Sequence, residues 1–146
     1  MVTWRGFELP GFSRALAGVS AERREALAAH LRDYMPPAPA PPSATRRTPA
    51  PTRHFPDACR ACGGHCCGKG GDTAYLDEPS LRIAWCDQPQ LTRDELIAAY
   101  AGCVPDLAFA GSCIFHAAQG CNLPGNLRSV VCKTYLCNPL RQAQPG

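Results

Sequence analysis

The chain has 146 residues, of which 18% are charged, and a formal net charge of +3. That charge is too small for a nucleic-acid-binding chain, and no run of about five or more Lys or Arg provides a basic stripe. No apolar run of about 18 residues occurs, which excludes a membrane span, and this length suits one domain and rarely two.

The first 35 residues contain a helix signal. Ser20 can cap a helix from about Ala21 to Met35, with Glu22 in the first turn beside the positive dipole end. Leu27, Leu31, Tyr34 and Met35 then form a narrow apolar stripe. One helix with one stripe cannot form a core, so it must pack on the rest of the chain or on a partner. Residues 1–35 therefore read as an N-terminal amphipathic helical segment.

Residues 36–56 are rich in proline and alanine, a composition suited to an extended linker. Such a stretch, or the helix before it, could recruit a protein partner. A cysteine-bearing domain is expected over 57–141. Within it, Asp77, Glu78 and Pro79 mark a helix start leading into Leu81 and Trp85. Thr92 to Glu95 reads as a capping box, with Leu91 and Leu96 placed as a hydrophobic staple. That helix should end near Ala101 and Gly102, with Leu96, Ile97 and Tyr100 facing inward. Residues 73–76 and 113–116 are short enough to be strands or irregular.

Cysteine is the unusual component, with ten copies, all after residue 58. Arg5, Glu8, Pro10 and Arg14 break the N-terminus, leaving no uninterrupted apolar stretch for an export signal. The expected location is therefore a reducing cytoplasm, where clustered cysteines usually bind metal or carry redox chemistry, and a disulfide framework is the lesser alternative.

The first group of cysteines is Cys59, Cys62, Cys66 and Cys67 in a glycine-rich loop. Two residues between Cys59 and Cys62 let a tight turn aim both sulfurs at one ion. Neighbouring side chains diverge, so Cys66 and Cys67 suit two sites, or one ligand with a supporting neighbour. The second group is Cys113, Cys121, Cys132 and Cys137. In a helix Cys132 and Cys137 would lie about 140° apart, facing different sites. Eight thiolates suffice for two four-cysteine sites or for iron–sulfur chemistry, with Arg60, Lys69, Arg128 and Lys133 either easing the negative charge or simply solvated. Cys86 and Cys103 fall outside this pattern and read as small buried side chains. His65 and His116 read as neighbours of the ligands or as solvent-facing groups, with replacement of a sulfur as the lesser alternative.

With these motifs the chain resembles the bacterial YkgJ-type cysteine-cluster family over roughly residues 57–139. The resemblance implies zinc or iron chelation by Cys59, Cys62, Cys66, Cys67, Cys113, Cys121, Cys132 and Cys137. Flagellin lysine N-methylases are similar in their cluster. The chain departs from the family pattern at Arg128-Ser129, where relatives often have Arg-Pro.

The expected fold is mainly α with irregular loops and short extended pieces, a small metal-stabilised cysteine-cluster domain. The expected function is binding of an iron–sulfur cluster, iron or zinc. The alternatives are an iron–sulfur-dependent enzyme or subunit, and a protein-interaction module with the metal as scaffold. No nucleic acid or membrane is expected among its partners.

Overall fold

A computed structural model describes residues 2–9, 14–39 and 65–134. The Pro/Ala-rich stretch beyond residue 39 lies outside the described residues, as do Cys59, Arg60, Cys62 and Cys137. The side chains of His65, Cys66 and Lys133 also lie outside them.

Three helices begin where local capping chemistry places them. Helix α1 (Ala21–Tyr34) starts after Ser20, whose hydroxyl accepts a hydrogen bond from the Arg23 N–H at 3.1 Å. Helix α2 (Glu78–Asp87) starts after Asp77, whose carboxylate accepts from Ser80 N–H at 2.9 Å, with Pro79 in the first turn. Helix α3 (Arg93–Gly102) carries the full capping box. Thr92 Oγ1 accepts from Glu95 N–H at 3.1 Å, and Glu95 Oε1 accepts from Thr92 N–H at 3.0 Å. The short helix α4 spans Val130–Thr134.

Six short strands form three two-stranded antiparallel sheets. β1 (Val2–Trp4) and β2 (Phe7–Leu9) close through Arg5 and Gly6, both at positive φ, as a tight hairpin requires. β3 (Leu16–Gly18) pairs with β4 (Leu107–Phe109), joining the chain before α1 to the chain after α3. β5 (His116–Ala117) pairs with β6 (Gly120–Cys121) and lies beside β4. Residues 73–76 are not a strand. They lie in a turn where Ala74 and Tyr75 both take positive φ, at 52° and 59°. Residues 113–115 are likewise outside any strand.

These elements surround a continuous apolar core. It includes Leu27 and Leu31 from α1, Leu81 and Trp85 from α2, Leu96 and Tyr100 from α3, and Ile114, Phe115, Leu123 and Leu127 from the segments that follow. The expectation of a mainly α, metal-stabilised domain is thereby corrected. Four α-helices and three small sheets pack on their own side chains, and among the described residues no cysteine cluster organises them. The physical reason is area. Each fully buried Leu or Phe contributes roughly 1.5–3 kcal/mol, and the described residues bury enough of them to fold around.

Helix α1 resolves its two packing options by lying against α3. Leu27, Leu31 and Met35 are buried, whereas Tyr34 is 52% exposed. Tyr34 lies about 60° round the helix from Leu31 and stacks on His30 at the surface, with ring centroids 4.5 Å apart. Arg93 locks the end of α1 by donating to the Arg32 carbonyl at 2.5 Å. Among the described residues no helix is long and apolar enough to cross a membrane.

Leu31 is fully buried between α1 and its neighbours. Leu31→Ala is expected to destabilise the protein by about 2–5 kcal/mol, read as a lower urea midpoint at unchanged slope. A loss under about 1 kcal/mol would show that α1 is not part of the cooperative core.

Candidate functional site

Backbone groups from distant parts of the chain assemble the candidate site. The 3₁₀ turn His65–Lys69 carries Cys67. The Cys67 carbonyl accepts two hydrogen bonds, from Gly70 N–H at 2.9 Å and from Cys113 N–H at 3.0 Å. Ile114 N–H then donates to the Gly71 carbonyl at 2.9 Å, extending the seam. Gly70 is required here by space. A Cβ at this position would meet Cys113 Cβ at 2.7 Å and Cys113 Sγ at 3.1 Å.

Arg23 ties α1 to the same seam. Its Nε donates to Asp72 Oδ1 at 2.5 Å, and its Nη2 donates to the Ser112 carbonyl at 2.6 Å. Below the seam Ser112 Oγ and His116 Nδ1 share a 2.8 Å hydrogen bond, and both residues are fully enclosed. The His116 ring also lies against Phe109, with centroids 4.6 Å apart. His116 is therefore a hydrogen-bonded core residue, unlike the solvent-facing or ligand-neighbouring group expected from the sequence.

Four of the eight expected ligands have described side chains, and their surroundings differ. Cys113 is buried, Cys67 and Cys121 are half-buried, and Cys132 is exposed on α4. Ser129 Oγ accepts from Cys132 N–H at 3.1 Å, and Ser80 Oγ accepts from Val130 N–H at 3.0 Å, anchoring α4 to α2. Arg128 donates to the Leu123 carbonyl at 2.9 Å, so it serves the backbone.

Burial pushes the Cys113 thiol up to about 12, and the thiols of Cys121 and Cys132 add to the rise. A backbone hydrogen bond from Phe115 and the Arg23 charge pull the other way and are outweighed. Burial also raises the Cys103 thiol, followed by the effect of Cys121. These cysteines are therefore neutral thiols near pH 7, poor nucleophiles and poor ligands until deprotonated.

Among the described residues no group of three or more His, Cys, Asp or Glu could hold a metal ion. This corrects the expected metal-binding function, the expected iron–sulfur, iron or zinc cofactor, and the resemblance to the YkgJ-type cluster family. Spacing along the chain does not decide whether sulfurs converge. Here the glycine-rich loop joins backbone to backbone at Cys67, Gly70 and Cys113, and the thiols stand in unlike surroundings. The chain matches no protein-family model, no curated protein and no solved structure.

Cys103, expected as a small buried side chain, is half-buried against the core and caps α3, where burial and then the thiol of Cys121 act on it. Its position directly after the helix stop at Gly102 was the available signal. Cys86 on α2 is also half-buried.

Two outcomes test the site. Gly70→Ala is expected to destabilise the protein by about 1–3 kcal/mol through overpacking against Cys113, read by denaturant unfolding. The raised thiol of Cys113 also sets a pH dependence. In the unfolded chain it ionises near its ordinary 9.0, whereas in the fold it stays protonated up to about 12. Its contribution is therefore complete below pH 9 and lost as pH rises through that window, at most about 1.4 kcal/mol per unit. Unfolding midpoints between pH 7 and 11 should fall on the alkaline side, and Cys113→Ala should flatten part of that slope.

Proposed function

We propose that this protein is a thiol-based redox responder, with its chemistry in the cysteines gathered around Cys113. The observation that carries this reading is the fastening of the hairpin that bears Cys121 to the α3 cap at Cys103, where Asn122 Nδ2 donates to the Cys103 carbonyl at 2.7 Å. Burial comes first in raising the Cys113 and Cys103 thiols, and Cys121 adds to both, with Cys132 adding at Cys113. Two partly buried cysteines on segments fastened to each other are suited to form a disulfide.

Their protonation argues for a responder over a thiol catalyst. A thiolate is the attacking species, so burial slows the reaction. Burial also withholds from the reduced form the thiolate stabilisation that makes some disulfides strong oxidants. A bridge formed here would come slowly and persist. A cytoplasmic location suits the reading, because a reducing compartment keeps such cysteines free until oxidant rises.

Exposing the reduced full chain to hydrogen peroxide and counting thiols before and after dithiothreitol tests the proposal. The expected result is a pairwise loss of thiols, fully reversed by the reductant, with the helical circular dichroism retained. Oxidation only to sulfinic or sulfonic acids would sink it. So would a protein whose thiols, as isolated, are masked by a metal that a chelator releases.

A second reading, a protein-interaction module, rests on the β3–β4 ribbon beside α1. Leu16 and Leu107 are 40% and 54% exposed and share one face by register. Ala110 N–H donates to the Ala15 carbonyl, and Val19 N–H to the Asp106 carbonyl, so by alternation the backbones of Leu16 and Gly18 face away from β4. An open edge of this kind accepts an extended segment of a partner protein. In the isolated chain the amides of Leu16 and Gly18 should exchange quickly and that of Ala17 slowly. Slow exchange at all three would mean the edge is already occupied.

A further inference from the structure

Helix α3 ends at Gly102, and Cys103 is its cap, with its N–H turned back onto the Tyr100 and Ala101 carbonyls. Cys121 closes the β5–β6 hairpin, opposite His116. The next residue, Asn122, donates from Nδ2 to the Cys103 carbonyl at 2.7 Å, fastening the end of the hairpin to the end of the helix. Both cysteines pack on the rim of the same apolar core, and both remain partly open to solvent. Cys113, in contrast, is enclosed, and Cys132 lies on the outer surface of α4.

We infer that Cys103 and Cys121 are the pair that a hydroperoxide oxidises to a disulfide, stapling the end of α3 to the β5–β6 hairpin. The inference rests on the thiol-responder reading and names its oxidant class and its bridge. One thiolate attacks a peroxide oxygen, breaking the O–O bond and leaving a sulfenic acid and one water. The second sulfur attacks the sulfenic sulfur, the S–O bond breaks, and a second water leaves. Two thiols and one hydrogen peroxide thus become one disulfide and two waters, the sulfurs losing two electrons to the peroxide oxygens.

The pair is also placed to matter mechanically. Tyr100, one turn before Cys103, is fully buried and donates from its hydroxyl to the Leu127 carbonyl at 2.8 Å. A bridge at Cys103 would fasten α3 to the following segments at a second point, beside this one.

Peptide mapping of the peroxide-treated full chain, alkylated without reduction, provides the test. The expected result is one dominant cross-linked peptide joining Cys103 to Cys121, lighter by two hydrogens than its parts. Cys103→Ser and Cys121→Ser should each abolish it, while Cys86→Ser leaves it unchanged. A dominant bridge between Cys113 and Cys132, or any pair without Cys103, would overturn this inference and leave the responder reading standing. No intramolecular bridge at all would overturn both. Matching circular dichroism of the reduced variants with that of the parent separates loss of the thiol from loss of the fold.

Discussion

The contact among Cys67, Gly70 and Cys113 sets how closely two distant stretches of chain can approach. One carbonyl accepts two N–H groups, and a glycine without a side chain lets the second stretch lie flat against the first. Much of the rest follows from that approach. Ile114 continues the seam to Gly71, Phe115 joins the core that also holds Leu81 and Leu96, and Ser112 presents its carbonyl to Arg23. Arg23 in turn secures α1, so a single close backbone approach couples the N-terminal helix to the turn carrying Asp72. Replacing the seam by a looser turn would leave buried backbone groups without partners.

What was legible in the sequence was what depends on neighbours along the chain. Ser20, Asp77 and the Thr92–Glu95 pair mark helix starts because each satisfies an N–H within three residues of itself. The inward positions Leu96 and Tyr100 were legible for a similar reason, since a helix repeats its faces every turn. The β3–β4 pairing joins residues about ninety positions apart, with only three residues per strand and no alternation to signal it. Tyr34 was placed in the apolar stripe by period alone. Rotation of the buried face toward Met35 left it outside.

The cysteines show the same limit in chemistry. Glycines beside Cys67 were read as room for a loop around an ion, yet Gly70 makes room for Cys113. Cys67 and Cys113, distant in sequence, meet backbone to backbone at the seam, and Asn122 beside Cys121 reaches the α3 cap at Cys103. Their environments then decide their state. Enclosure keeps Cys113 neutral, whereas Cys103 and Cys121, at the core's rim, combine partial burial with access. The ordinary tendency of a free cysteine to behave as a small hydrophobe therefore holds for Cys113 and is relaxed at the rim.

The consecutive left-handed residues Ala74 and Tyr75 connect the seam to the cap of α2. Neither is glycine, so each holds its conformation at a cost of about 1–2 kcal/mol that the surrounding packing must offset. Such a stretch gains conformational freedom when it lets go, which makes it a natural place for the native state to breathe. The enclosed thiol of Cys113 lies against Gly70 at the head of this turn, so access to it depends on the same packing that holds Ala74 and Tyr75 in place.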